Sequence, residues 1–105
     1  MRAPTGSANQ TQLDKAVAKT IRKLGKEVLH VKYTFDDDWT GEPSIYFKIL
    51  LSDAASREDR LLGVANRITT IIDDELRLYE NWGLRSYFSF RSKSEQAKLN
   101  DPQWA

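Results

Sequence analysis

Cysteine is absent from the chain, which excludes disulfides, thiolate zinc sites and a cysteine nucleophile. Histidine occurs once, as His30, and nothing in its sequence neighbourhood marks it as catalytic. No apolar run approaches the ~20 residues that span a bilayer, and the first ten residues hold no apolar segment of signal-peptide length. We therefore expect a cytoplasmic protein with no membrane contact and no cofactor.

Glycine is also scarce. The five glycines, at positions 6, 25, 41, 63 and 83, form neither a Gly-rich phosphate loop nor a nucleophile elbow. No charge of one sign dominates, since 16 Lys+Arg against 15 Asp+Glu leave a formal net charge of +1. That balance argues against a strongly basic nucleic-acid arm and against an acidic tail.

The length of 105 residues provides for one hydrophobic core. Residues 1–10 are small and polar, and we interpret them as a disordered lead-in to a single domain over residues 11–105. Helix signals begin at Thr11, where Thr11 and Asp14 have the spacing of a capping box. Ser56 with Asp59, and Ser92 with Glu95, repeat that spacing.

Hydrophobic periodicity predicts the remaining elements. Apolar residues from Leu13 to Leu24 recur at helical spacing, and a longer amphipathic helix runs from Leu61 through Tyr79. Residues 28–35, 45–51 and 84–91 alternate with period two, which is typical of strands; Leu29 is placed on the same face as Val31. A short helix follows Ser92. The first two strands predict a hairpin.

This order predicts the α+β class, as a two-layer sandwich α-β-β-α-β with a short C-terminal helix. The helices cover one face of a three-stranded mixed sheet. The last two strands, joined through the long helix, are expected to be parallel. The sequence leaves open whether the third strand lies beside the first strand or beside the second.

The opposite face of this sheet, which we call the outer face, interleaves cations with two tyrosines. It comprises His30, Lys32, Thr34, Tyr46, Lys48, Leu50, Arg85, Tyr87, Ser89 and Arg91. Tyrosine and arginine are enriched at protein interfaces, whereas cations beside aromatic rings also suit single-stranded RNA. A water-facing sheet surface without a partner has a similar composition. The candidate binding residues are Tyr46, Lys48, Arg85, Tyr87 and Arg91, together with Trp39 at the edge.

The element order is similar to that of a type II KH domain and of the cytoplasmic C-terminal domain of cation-efflux transporters. The KH resemblance implies an RNA-binding or ribosome-associated module. No two of the five glycines have the GXXG spacing with which KH domains clamp nucleotides. The resemblance is therefore one of topology alone.

An acidic loop, residues 36–42, separates the first two strands. Asp36, Asp38 and Glu42 are its candidate metal ligands, since clustered carboxylates bind Mg²⁺ or Ca²⁺. The stretch begins with the spacing of an EF-hand loop, but Phe47 stands where the bidentate Glu is required. It also resembles the Asp-x-Asp-x-Thr motif of haloacid-dehalogenase-type phosphotransferases, although that fold is larger. The alternative is a solvated hairpin loop.

Two tryptophans lie in polar surroundings. We expect Trp39 to pack back onto the domain, which is the more frequent arrangement for an aromatic residue in a loop. We also expect the C-terminal tail to fold back and bury Trp104.

Three functions stay open. The first is a non-catalytic binding or regulatory domain that contacts a protein, with a homodimer as one form. The alternative is an RNA-binding module on the outer face, and the third is a metal-dependent enzyme that uses the acidic loop. No catalytic residue is assigned.

Overall fold

The computed structural model describes residues 7–104 of the chain, with side chains from residue 10 onward. In chain order the elements are α1 (Ser7–Ile21), β1 (Val28–Asp37), β2 (Pro43–Leu51), α2 (Leu61–Leu76), α3 (Leu78–Trp82), β3 (Arg85–Ser92), α4 (Lys93–Leu99) and a 3₁₀ turn (Pro102–Trp104). The α+β class and the order α-β-β-α-β with a short C-terminal helix are confirmed. No helix within residues 7–104 is long and apolar enough to cross a membrane.

The three strands form one mixed sheet in the order β1-β2-β3. β1 runs antiparallel to β2, and β3 runs parallel to β2. The third strand therefore lies beside the second, which settles the strand order that the sequence leaves open. β2 is the central strand, and the side chains on its inner face are buried throughout.

The core lies between the inner face of the sheet and helices α1 and α2. Phe47 of β2 stacks on Phe88 of β3, with ring centroids 5.3 Å apart. The helices supply the other side, chiefly Leu13, Val17, Val64, Ile68, Ile72 and Leu76, and Leu24 adds to it from the turn after α1. Fully burying such a side chain contributes about 1.5–3 kcal/mol, so this layer is the main source of stability.

The predicted helix starts are corrected at two of three places. α1 begins at Ser7, so Thr11 lies inside the helix and does not cap it; residues 1–6 of the expected lead-in lie outside the described residues. Ser56 donates its hydroxyl to the Ser52 carbonyl (2.9 Å) within a series of turns, and α2 begins later, after Arg60. At Ser92 the prediction is confirmed, because its hydroxyl accepts the Glu95 amide at 3.1 Å.

The predicted long helix is interrupted at Arg77. This residue has the left-handed conformation (φ 45°), and its amide donates to the Asp73 carbonyl at 2.9 Å. The side chain of Asn81 donates to the Leu76 carbonyl at 3.0 Å, which satisfies a helix-end acceptor. Because the chain changes direction here, Tyr79 leaves the apolar face and is 66% exposed.

The start of β1 is also irregular. The register shifts between Val28 and His30, so Leu29 lies in a bulge and is exposed. Val28, which was expected on the opposite face, packs partly buried against the core. The predicted placement of Leu29 beside Val31 is therefore wrong.

Candidate binding surface

The strand register assembles the outer face into rows across the sheet. Thr34 of β1 lies opposite Tyr46 of β2, which in turn lies opposite Tyr87 of β3. In the next row Lys32 lies opposite Lys48. The sheet thus brings the two tyrosines and the two lysines side by side.

The two tyrosines are in contact with each other. The rings of Tyr46 and Tyr87 stack with centroids 5.1 Å apart and an interplanar angle of 18°. The Tyr87 hydroxyl donates to Oδ2 of Asp38 at 2.8 Å, and this bond is the main reason that the pKa of Tyr87 is raised. Loss of solvent is the main reason that the pKa of Tyr46 is raised. Both rings are neutral at pH 7, and each covers one face of the other.

The carboxylate of Asp38 holds the acidic loop together. Its Oδ1 accepts the amide of Thr40 (2.9 Å), the hydroxyl of Thr40 (2.6 Å) and the amide of Glu42 (3.0 Å). With Tyr87 on Oδ2, the side chain has no exposed area. These bonds, the Thr40 hydroxyl first, hold the pKa of Asp38 far below its usual range.

The backbone of the loop is fixed as well. The Asp38 amide donates to the Glu42 carbonyl, and the Gly41 amide donates to the Asp38 carbonyl, both at 2.9 Å. Gly41 has φ +87°, which a residue with a side chain adopts only with strain. The loop is therefore a tight turn, tied at its base to β3 through Tyr87.

Trp39 is at the tip of this turn and is 90% exposed. The expectation that it packs onto the domain is wrong, because the turn directs its side chain away from the sheet. Exposed carboxylate residues flank it, namely Asp36, Asp37 and Glu42. The loop therefore presents a large apolar side chain surrounded by negative charge.

The candidate metal ligands of the loop do not converge. Asp38 already uses both carboxylate oxygens, and Asp36 accepts the amide of Asp37 at 2.8 Å. Within residues 7–104 no three His, Asp or Glu side chains are placed to hold a metal ion. Asp36 and Glu42 instead contribute surface charge.

The two arginines predicted for the site have internal partners. Arg85 lies 3.9 Å from Asp38, with its side chain 47% exposed. Arg91 is only 18% exposed; its guanidinium lies 4.3 Å from the ring centroid of Trp104, donates to Gln96 at 2.8 Å and approaches Asp101 to 3.5 Å. Arg91 is thus engaged by the C-terminal segment, residues 93–104.

The C-terminal segment is docked at both of its ends. Near its start, Ser94 donates its amide (2.9 Å) and its hydroxyl (2.5 Å) to Asp53, and these two bonds lower the pKa of that carboxyl. At its end, Trp104 is 6% exposed, as expected for a tail that folds back.

A pocket on the outer face contains one of the candidate binding residues, Lys48. It has a volume of about 250 Å³ and is lined by Lys32, Thr34, Lys48 and Gln103. The alternation places both lysines on this face, but only the hairpin register shows that they lie opposite each other. Nothing in the sequence indicates that Gln103 folds across the sheet to reach them.

No family model, curated protein or solved structure matches the chain. Its function is therefore argued from the geometry of the outer face, the acidic loop and the C-terminal segment.

Proposed function

We propose that the protein is a non-catalytic binding domain that contacts another protein through Trp39 and the acidic loop. The observation that carries the proposal is the 90% exposure of Trp39 on a turn whose central carboxylate, that of Asp38, accepts four hydrogen bonds. Tryptophan is among the residues that contribute most to binding energy in protein interfaces.

The rigidity of the loop supports this function. A flexible loop loses conformational entropy when a partner immobilises it, and that loss weakens binding. Here the bonds from Thr40, Glu42 and Tyr87 to Asp38 fix the loop before any partner arrives. Binding through Trp39 therefore restricts the rotamers of the indole but costs little further ordering of the loop backbone.

The charges around Trp39 indicate the kind of partner. Asp36 and Glu42 are exposed on the same loop, and residues 35–55 contain five acids and one cation. A complementary surface has an apolar pocket for the indole and a basic rim for the carboxylates. Such complementarity raises association rates and selects against acidic partners.

The strongly lowered pKa of Asp38 supports a structural role for this carboxylate. A general acid or base needs a pKa near the operating pH and access to a substrate. Asp38 meets neither condition, because it is buried and its oxygens are occupied by Thr40, Glu42 and Tyr87. Its bonds to the loop account for the shift.

A second copy of the chain is a less suitable partner. Among the described residues, the other large exposed apolar side chains are Leu29 on β1, the neighbours Leu61 and Leu62 on α2, Tyr79 on α3 and Leu99 on α4. A standard interface covers about 800 Å² on each partner and has an apolar centre. One pair of adjacent leucines and three single side chains on other elements do not supply that centre, which favours a partner of another kind.

The proposal is tested with the purified, tagged 105-residue chain and an extract of the source cells. Wild type is compared with Trp39→Ala and with Leu62→Ala, which removes another exposed apolar side chain, 74% exposed on α2. We expect a captured protein that Trp39→Ala loses and Leu62→Ala retains. The identified partner is then titrated by calorimetry against wild type and Asp36→Lys/Glu42→Lys, and the charge reversal is expected to weaken binding at least tenfold.

Sedimentation equilibrium of the isolated chain completes the test. A monomer at high concentration agrees with the proposal. A dimer that Trp39→Ala dissociates would replace the heterologous partner with a second copy. Equal capture by wild type and Trp39→Ala would overturn the role of the acidic loop.

A further inference from the structure

Two lysines face each other on the outer face. Lys32 of β1 and Lys48 of β2 are direct cross-strand partners, and both are only partly exposed. Like charges directly opposite each other on a sheet are destabilising. The pair therefore raises the question of what neutralises it.

No carboxylate within residues 10–104 supplies the countercharge. Among the described residues neither lysine forms an ion pair with a carboxylate. Asp101 is engaged by Arg91, and Asp38 by Tyr87. Asp36 lies four residues along β1 from Lys32, which is about 13 Å at the rise of a strand.

The lysines line a pocket that has room for an anion. Thr34, one step from Lys32 on the same face of β1, brings a hydroxyl, and Gln103 of the C-terminal segment brings an amide. The volume of about 250 Å³ is far larger than the ~10–15 Å³ needed to hold one water molecule. Two ammonium groups, a hydroxyl and an amide provide several hydrogen-bond donors around one space.

We propose that this pocket binds a phosphoryl group. A phosphate dianion matches the two positive charges, and its oxygens accept hydrogen bonds from several directions, as this set of donors requires. The inference is independent of the protein-contact proposal, because none of the four lining residues belongs to the acidic loop.

The first experiment measures thermal unfolding in sodium phosphate and in sodium chloride at equal ionic strength. It compares wild type with Lys32→Gln/Lys48→Gln and with Lys15→Gln, which removes a positive charge from the exposed surface of α1. Phosphate stabilises folded proteins generally by exclusion from their surface, so we expect it to raise the melting temperature of wild type and Lys15→Gln by clearly more than that of the double variant. In chloride the double variant should be at least as stable as wild type, because the repulsion between the lysines is gone.

The stability of the double variant in chloride separates loss of phosphate binding from misfolding. A misfolded double variant would be less stable in chloride too, and in that case the single variant Lys48→Gln carries the test. If phosphate stabilises wild type no more than chloride does, the proposal is overturned. It is equally overturned if Lys15→Gln loses as much of the phosphate effect as the double variant or Lys48→Gln.

The second experiment identifies the source of the phosphoryl group. Pyrophosphate and a single-stranded RNA oligomer are titrated separately against the same variants at constant salt. A tenfold or greater loss of pyrophosphate affinity, confined to the double variant, assigns the pocket to a free phosphate compound. The same selective loss for RNA alone assigns it to a nucleic-acid backbone. RNA binding that falls equally in Lys15→Gln is nonspecific and, without pyrophosphate binding, contradicts the proposal.

Discussion

Trp39 and Trp104 lie in polar turns, yet one is 90% exposed and the other 6%. The difference follows from the charges beside them. Trp104 lies against the guanidinium of Arg91, and an aromatic face attracts a cation. Trp39 lies among carboxylates, which the face of an aromatic ring does not attract. Among the described residues, Trp104 thus has a cation contact that stabilises its docked position, whereas Trp39 has none.

The comparison also shows that the two regions are stabilised differently. Removal of Trp104 would expose the guanidinium of Arg91, which would keep only Gln96 and Asp101 as partners in the C-terminal segment. The docking of this segment therefore depends on its tryptophan. The acidic loop depends on Asp38, and its bonds are complete without Trp39. We therefore expect Trp39 to contribute little to the stability of the fold, which agrees with a role in binding.

The largest expected effect comes from Trp104→Ala. Removing a buried tryptophan from a core costs about 3–5 kcal/mol, and at this peripheral position we expect about 2–3 kcal/mol. Urea denaturation measures the change in the free energy of unfolding. Trp39→Ala is the matched control and is expected to change that free energy by less than about 0.5 kcal/mol.

Two outcomes would contradict the contrast between Trp104 and Trp39. Equal stability of Trp104→Ala and wild type would show that the C-terminal segment is not docked in solution. Destabilisation by Trp39→Ala would show that the indole packs on the domain, and the basis for the protein-contact proposal would be lost.

The next effect in size comes from Asp38→Asn. An amide in place of the carboxylate loses the charge-assisted bonds to Thr40, Glu42 and Tyr87, and the melting temperature should fall by about 5–10 °C. Asp36→Asn is the control, because that exposed carboxylate accepts only a neighbouring amide, and it should shift the melting temperature by no more than ~2 °C. Equal shifts of the melting temperature in the two variants would show that Asp38 stabilises the loop no more than Asp36 does.

The stability difference between wild type and Asp38→Asn should depend on pH. The pKa of Asp38 is lowered in the folded state, whereas an aspartate in an unfolded chain titrates near ~3.9. The stabilisation is therefore fully present above about pH 4 and is lost as pH falls toward the folded pKa. Other carboxyls with lowered pKa, such as Glu27 and Asp53, occur in both proteins and cancel. Unfolding at pH 7 and pH 3 should show a smaller difference at pH 3.

The sequence predicts the parts of the fold that depend on periodicity. Alternation assigns the faces of β2 and β3, and helical spacing identifies the buried side of α2. The break at Arg77 has no such signal, because the left-handed conformation there falls on an arginine rather than on glycine or asparagine. The sequence does not indicate the bulge at Leu29 either, because the residues that form it are ordinary strand residues.

The candidate site is less predictable because it depends on contacts between distant segments. The sequence places Tyr87 and Arg91 on the outer face but does not show that Asp38 and Trp104 engage them. The prediction for Trp39 is wrong because it rests on the general tendency of aromatic residues to pack against the protein and not on the residues of the loop itself. The relevant signal was in the loop, where Asp38 followed by Thr40 and Gly41 favours a turn with a hydrogen-bonded aspartate.

The smallest expected effect, but the most direct test of the contrast, is fluorescence quenching. The variant Trp39→Phe retains Trp82 and Trp104, so the signal it loses relative to wild type belongs to Trp39. That signal should be readily quenched, because the indole is 90% exposed.

The surrounding carboxylates attract cations and repel anions. The ratio of caesium quenching to iodide quenching should therefore be higher for Trp39 than for free N-acetyltryptophanamide. The preference should shrink in Asp36→Asn/Glu42→Gln and in high salt, where the charges are removed or screened. If Trp39 is readily quenched but shows no preference for caesium, it remains an exposed contact residue, but the argument that its partner has a basic rim is lost.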